Sequence, residues 1–204
     1  MKVPPLLVIA TTNNGKLREV RQALSCLGLS VTDLSGFEDV TPVDENGKTF
    51  AENARMKAQG YARQFSHWTL ADDSGLEVDA LGGAPGIYSA RYAGATASDL
   101  ERNIKLLAEL SHIENQHRGA RFVSAIALVS PAGEFIFGAE GICEGRIARA
   151  PRGTNGFGYD PLFIPEGFEL TFGELDEAVK QEISHRARAL AQLNSFLVQQ
   201  LRNP

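Results

Sequence analysis

Apolar positions recur along this chain with two periods, and the switches between them mark out its elements. Leu6 to Ala10 is a continuous apolar run, short enough for a buried strand. Leu17, Val20, Leu24 and Leu27 then fall at i, i+3, i+7 and i+10, one face of a helix that Gly28 ends. A second strand is expected around Leu29 to Val31. Phe50, Ala54, Ala58, Tyr61, Ala62 and Phe65 form the stripe of a second helix, opened by Thr49 and Glu52 at capping-box spacing. Trp68 to Ala71 reads as a short buried strand ending on Asp72-Asp73-Ser74-Gly75, and Leu76 to Leu81 alternates as a half-exposed strand. Leu100, Ile104, Leu107 and Leu110 are the stripe of a helix capped by Ser98. Arg121 to Val129 and Glu134 to Phe137 flank Ser130-Pro131-Ala132-Gly133, a hairpin signature, and Gly138 to Ile147 continues as strand. Thr171 and Glu174 repeat the capping-box spacing, and Leu190, Leu193, Leu197 and Leu201 stripe a final helix. An antiparallel middle between βα ends predicts an α/β fold on a long mixed β-sheet flanked by helices.

Composition adds limits. A chain of 204 residues suits one domain, or two intimately joined lobes, over residues 1–204. A net charge of −5 argues against a broad nucleic-acid-binding surface, so any phosphate site must come from a few placed cations and backbone N–H groups. The run after Met1-Lys2 is too short for a signal-peptide core, and no apolar segment approaches the roughly 20 residues that span a bilayer. Cys26 and Cys143 lie far apart with no Cys-x-x-Cys, which suggests neither a disulfide framework nor a zinc site. A cytoplasmic location without membrane partners is the expectation.

Four stretches carry candidate chemistry, each with a plainer alternative. Thr11-Thr12-Asn13-Asn14-Gly15-Lys16 joins strand to helix and aims free N–H groups and the positive helix end at one point, yet it could be a turn without a ligand. It lacks the Gly-x-x-x-x-Gly-Lys-Ser/Thr spacing of a Walker A loop. Asp72 and Asp73 should point to opposite faces if the strand stays extended, so either the chain turns there or one Asp serves structure and the other chemistry. An ordinary Asp-Ser-Gly turn remains open beside a hard-metal site. Phe157, between Gly156 and Gly158, is either a stacking platform for a nucleobase or a ring tucked into the core. His185 and Arg186 put positive charge at a helix start, which is unfavourable unless an anion or polar ligand compensates. Glu45 sits in a polar loop with no structural explanation, whereas Glu52 is explained as a cap. Asn53 and Lys57 share a helix face, as many surface pairs do.

Taken together, these stretches resemble the non-canonical purine nucleoside triphosphate pyrophosphatases, the inosine triphosphatase-like (XTP/dITP diphosphatase) family. The likeness runs through Ala10–Lys16, Phe50–Ala54, Ala71–Leu76, Gly82–Arg91, Gly156–Pro161 and Ser184-His185-Arg186, in the family's order and over nearly the whole chain. One departure is Thr12, where glycine is frequent. The resemblance implies two lobes with an active-site cleft between them, a homodimer, and hydrolysis of ITP, dITP or XTP to the monophosphate and pyrophosphate, cleansing the nucleotide pool.

On that reading Thr11, Thr12, Asn13, Asn14, Gly15 and Lys16 hold phosphates, and Ser74 touches substrate. Glu45 and Asp73 are the ligands of Mg²⁺, with Asp73 the catalytic base and Asp72 its rival, and Lys57 helps to neutralise phosphate. Phe157 stacks on the base, Gly158, Tyr159 and Asp160 complete that wall, and Lys180, His185 and Arg186 offer donors to a 6-keto oxygen that adenine lacks. Two alternatives stand: a pyrophosphatase for other modified nucleotides, as in septum-inhibitor-like proteins, and a non-catalytic nucleotide-binding module.

Overall fold

The computed structural model describes residues 6–202, without the side chains of Leu201 and Arg202, so the Met1-Lys2 start lies outside the described residues, as does the side chain of the last leucine of the predicted stripe. The strands are β1 (Leu6–Ile9), β2 (Ser30–Asp33), β3 (Trp68–Val78), β4 (Gly119–Val129), β5 (Phe135–Ile147) and β6 (Phe163–Pro165). The helices are α1 (Asn14–Leu24), α2 (Phe50–Phe65), α3 (Asp99–Glu109), α4 (Glu177–Ile183) and α5 (His185–Arg202). The strands form one sheet in the order β2-β1-β3-β4-β5-β6. β1 pairs in parallel with both β2 and β3, and β5 pairs antiparallel with β6. The sheet is therefore mixed, as the pattern predicts. The hairpin closes where expected: Gly133 N donates to Ser130 O at 2.9 Å, and Ser130 N donates to Glu134 O at 2.9 Å.

Local sequence accounts for most boundaries. The Thr49 hydroxyl accepts from Glu52 N at 3.1 Å and starts α2, while Glu52 reaches back one residue further than a capping box requires, to Lys48 N at 2.6 Å. Ser98 and Glu101 complete a reciprocal box on α3. After α1 a single 3-10 turn, Ser25–Leu27, leads into Gly28 at φ 63, a left-handed stop that costs a residue without Cβ little.

The backbone folds into two compact units: Met1–Asp73 with Ser124–Gly141 and Arg186–Pro204, and Ser74–Val123 with Ile142–His185. Each has its own core. In the first, Leu7, Ile9, Val20, Leu24, Leu70, Leu128, Leu190 and Leu193 pack together. In the second, Leu76, Val78, Leu106, Leu110, Leu162 and a Phe122–Phe163–Phe172 ring group do so.

Three expectations change. The strand does not end at Ala71; β3 runs straight through Asp72-Asp73-Ser74-Gly75 to Val78, and only Asp79–Leu81 turns. The two carboxylates therefore emerge on opposite faces, and no turn is made of them. The stripe of α3 is rotated: Asn103, Leu106 and Leu110 are buried, whereas Leu100 and Ile104 are 63% and 58% exposed. That rotation lets Asn103 Nδ2 donate to Gly158 O at 3.1 Å. Thr171 N and its hydroxyl both donate to Glu174 Oε2, at 2.9 and 3.2 Å, but Glu174 N donates to the Thr171 carbonyl at 2.9 Å and not to the hydroxyl, so the pair closes a turn and α4 starts later behind Asp176.

Candidate active site

In the first unit the chain leaves β1 and turns into α1 with its polar groups paired locally. Asn13 N donates to the Thr11 hydroxyl at 3.1 Å, and Asn13 Oδ1 accepts from Lys16 N at 3.0 Å, capping the helix. Thr12, Asn13 and Asn14 are exposed, and the first helical N–H groups have no acceptor within the helix. This is the geometry that receives an anion. The Lys16 side chain turns inward instead, with Nζ 2.6 Å from Asp72 Oδ1.

Asp72 is the hub of a buried network. Its Oδ2 accepts from Ser124 Oγ at 2.6 Å and from Arg186 Nε at 3.2 Å, and Arg186 Nη1 also pairs with Glu19 on α1. Asp72 is 4% exposed and Arg186 1%. Burial pushes the Asp72 carboxyl up, but the fields of Arg186 and Lys16, with hydrogen bonds from Lys16 and Ser124, more than reverse that and leave it well below the usual carboxylate range. For Arg186 burial works against the charge and Asp72 and Glu19 outweigh it, so the guanidinium is held above its usual value. Lys16, desolvated and near two other cations, is lowered despite Asp72.

Asp73, on the opposite face of β3, sits in a different field. Burial raises its carboxyl, and Lys57, Lys16 and a hydrogen bond from Asn53 only partly offset that. Lys57 Nζ lies 2.7 Å from Glu45 Oε2 and donates to Asp72 O at 3.3 Å. An ammonium thus sits between the Glu45 carboxylate and the β3 backbone that carries Asp73. The Lys57 ammonium pairs with Glu45 and its charge also acts on Asp73, and carboxylate oxygens of this kind are the hard donors that could hold a divalent cation. Among the described residues no three His, Cys, Asp or Glu side chains converge to make a denser metal site. Asn53 Oδ1 accepts from Gly47 N at 2.8 Å and fixes the loop that carries Glu45.

The second unit holds the aromatic loop. Gly156 has φ +75, and a Cβ there would come within 1.9 Å of Asp160 Oδ2, so only glycine fits. That oxygen accepts from Phe157 N at 2.7 Å and from Lys180 Nζ at 2.5 Å, and the ammonium lies 4.7 Å from the centre of the Phe157 ring. Gly158 is clamped from α3, its N–H donating to Asp99 Oδ2 at 2.7 Å and its carbonyl accepting from Asn103. Tyr159 is a buried strut whose hydroxyl donates to Ser89 O at 2.9 Å; burial raises its phenol and keeps it neutral. The His185 ring stacks on Phe122 at 4.7 Å.

The structure thus groups Thr11, Asn13, Lys16, Glu45, Lys57, Asp72 and Asp73 in one unit, and Phe157, Gly158, Tyr159, Asp160, Lys180 and His185 in the other. Ser74 follows on β3, partly exposed. Arg186 departs from the grouping expected of it. It pairs with Asp72 and Glu19 in the first unit, so internal carboxylates compensate charge at the start of α5. Sequence reasoning passed over Asn53, Asp99 and Asn103. The one signal for Asn53 was its spacing of four from Lys57 on a helix face.

The chain matches the model of the Ham1 family over residues 7–196. It is similar to proteins named dITP/XTP pyrophosphatase from Desulforamulus reducens, 48% identical over 94% of each chain, and Syntrophobacter fumaroxidans, 52% identical over 92% of this chain and 80% of that one. Among solved structures it resembles a HAM1 protein from Coxiella burnetii, with a TM-score of 0.86 and 42% identity over 95% of this chain and 98% of the other. The Staphylococcus aureus Ham1 protein gives 0.85 and 39% identity over 96% and 99%.

Proposed function

Since the chain belongs to the Ham1 family, we propose that it hydrolyses non-canonical purine nucleoside triphosphates such as dITP, ITP and XTP to the monophosphate and pyrophosphate, and so cleanses the nucleotide pool. The observation that carries this reading is the division of labour on β3. Asp72 is committed to Lys16, Arg186 and Ser124 inside the fold, while Asp73, its neighbour on the other face of the strand, is raised by burial beside Lys57. A carboxylate of raised affinity for a proton is the better base.

In this reading the helix start at Asn13–Lys16, with Thr11 and Thr12, receives the phosphates, and Lys57 adds positive charge. Glu45 and Asp73 would hold Mg²⁺, which when bound supplies charge neutralisation for the leaving pyrophosphate. Asp73 orients the attacking water and takes its proton as the water oxygen bonds to phosphorus and the phosphorus–oxygen bond of the α–β bridge breaks, releasing pyrophosphate. Phe157 offers a face on which the purine stacks, a contact of about 1–3 kcal/mol in other nucleic-acid binders. Lys180 and His185 offer donors to the 6-keto oxygen of a deaminated purine, and adenine would leave them unmatched. Arg186 serves as the anchor of Asp72. The two units act as lobes of a single domain, and the chain works as a cytoplasmic homodimer. The apolar Leu100 and Ile104 exposed on α3 support that assembly.

Pyrophosphate release from ITP, XTP, dITP, GTP, ATP and dTTP with Mg²⁺ tests the proposal. Turnover of the first three well above the others is expected. Equal turnover of all six would remove the specificity, and tight binding without turnover would leave a nucleotide-binding module.

A further inference from the structure

Residues 41–47 belong to no strand of the sheet, yet their burial alternates as a strand's does. Val43, Glu45 and Gly47 are half-buried, while Pro42, Asp44 and Asn46 are exposed. The surface they cover is one side of α2. Thr41 N donates to Gln64 Oε1 at 3.1 Å and Gln64 Nε2 donates to Thr41 O at 2.9 Å, so one side-chain amide holds both backbone groups as a neighbouring strand would. Val43 lies against Gly60, where a Cβ would come within 2.5 Å of its Cγ2. Glu45 Oε2 pairs with Lys57 Nζ at 2.7 Å, and Gly47 N donates to Asn53 Oδ1 at 2.8 Å. The run thus climbs by twos while its partners descend the helix through 64, 60, 57 and 53. Two residues of extended chain rise about 6.6 Å and one helical turn about 5.4 Å, so the two periods keep pace over three steps, with the long Gln64 and Lys57 side chains taking up the difference. Gly60 is the informative member. Its backbone is ordinary helix, where alanine would serve better, and what the missing Cβ provides is the notch that Val43 fills.

From this geometry we propose that Gly60 and Gln64 are positioning residues, which set the register of residues 41–47 along α2 so that Glu45, and not Asp44 or Asn46, faces Lys57. The functional part of the inference rests on the reading of Glu45 as a ligand of the divalent cation. A slip of one residue would turn Glu45 to solvent. The ion pair cannot prevent that, because partly exposed pairs are weak and Asp44 would serve Lys57 as well. The notch and the amide clamp can. Slipped one way, Pro42 meets Gln64 without an N–H to donate, and Asp44 meets the notch. Slipped the other way, Pro42 meets the notch in place of Val43.

The test titrates the full-length protein with Mn²⁺, without nucleotide, and reads the free ion by electron paramagnetic resonance. Folding of each variant is checked by circular dichroism. Gly60→Ala closes the notch, and Val43→Ala added to it reopens the space. Gly60→Ala should weaken Mn²⁺ binding by roughly tenfold, the lower end of what groups that orient metal ligands contribute, and the double variant should recover to within about threefold of wild type. Gln64→Ala, at an exposed position that tolerates change, breaks the clamp alone and should weaken binding by about threefold or more. Affinity equal to wild type in either folded single variant overturns the inference. So does a double variant no better than Gly60→Ala, since general damage to α2 is not repaired by trimming Val43. Glu45→Gln in the same titration separates the two layers. Should it leave Mn²⁺ affinity unchanged, Glu45 is no ligand, and the underlying reading fails with the inference. Should it abolish binding while Gly60→Ala and Gln64→Ala keep it, the positioning role alone falls.

Discussion

Both compact units bury a lysine against an aspartate: Lys16 with Asp72 in the first and Lys180 with Asp160 in the second. Their surroundings differ. Asp72 is shared between two cations and a serine hydroxyl, so its charge is fixed by other charges. Asp160 holds a backbone N–H as well as Lys180, and the ammonium lies over aromatic rings. The first arrangement is electrostatic and reaches across the chain, tying β3 to β4, α1 and α5. The second is local and shapes a ring-bearing loop. Each suits what it would meet: polyanionic phosphate in one case, and the flat face and edge of a base in the other. Within the first unit a finer contrast lies between two neighbours on one strand. Asp72 is held down and Asp73 is pushed up, because alternation sends one into the cation network and the other towards Asn53 and Lys57.

The strongest way to break this contrast is to remove the charge on Asp73. Asp73→Asn should lower pyrophosphate release from dITP by about 10²- to 10⁴-fold, the usual worth of a general base, while the protein becomes no less stable to urea. Loss of activity with loss of stability would mean that the two aspartates share one role. Asp72→Asn should act in the opposite sense. It removes the carboxylate shared by Arg186 and Lys16 and should cost about 3–5 kcal/mol of unfolding free energy.

The same pair makes a pH prediction with two signs. The folded value of Asp72 lies below its unfolded value near 4, so its contribution is present above that pH and lost as acid protonates it. Asp73 is raised, so it favours the folded state below its unfolded value, and that advantage fades as pH rises through its folded value. Urea midpoints between pH 3 and 7 should therefore rise less steeply in Asp72→Asn and more steeply in Asp73→Asn than in wild type.

Two smaller effects probe the second unit. Phe157→Ala should raise KM for dITP by about tenfold, with kcat changed less, since stacking is worth roughly 1–3 kcal/mol. Asn103→Ala, which releases the Gly158 carbonyl, should raise KM by about two- to tenfold through a neutral hydrogen bond of roughly 0.5–1.5 kcal/mol. An Asn103→Ala effect larger than that of Phe157→Ala would show that the loop's backbone, and not its ring, makes the contact.

Much of this was legible from pattern. The strand–turn–helix at Thr11–Lys16, the caps on α2 and α3, and the hairpin at Ser130–Gly133 are local devices whose partners lie a few residues away. Longer-range satisfaction was not legible. Asp72 inside a strand reads as a turn because its partners, Ser124 and Arg186, are 52 and 114 residues distant, and buried polar residues break the apolar alternation that marks a strand. On α3 two apolar stripes overlap at Leu107 and Leu110, and the choice between them falls with Asn103, whose partner is 55 residues away. Glu45 stands out in the sequence as unexplained, but the amide that fixes its loop looks like any helix-surface asparagine. Arg186 stands out for the right reason, a cation at a helix start, and its compensating anions proved to be internal.

The unbroken run of β3 through Ala71–Gly75 carries a further consequence, one of parity. Because successive side chains face opposite ways, the count of residues between Trp68 and the acidic pair decides which carboxylate meets the cations and which meets Asn53. An inserted or deleted single residue in that span would exchange the two while leaving both in the sequence. Inserted pairs would preserve their assignment. The proposed division between the two aspartates thus depends on an odd-or-even property of a strand, and relatives that differ in length should place their gaps anywhere but there.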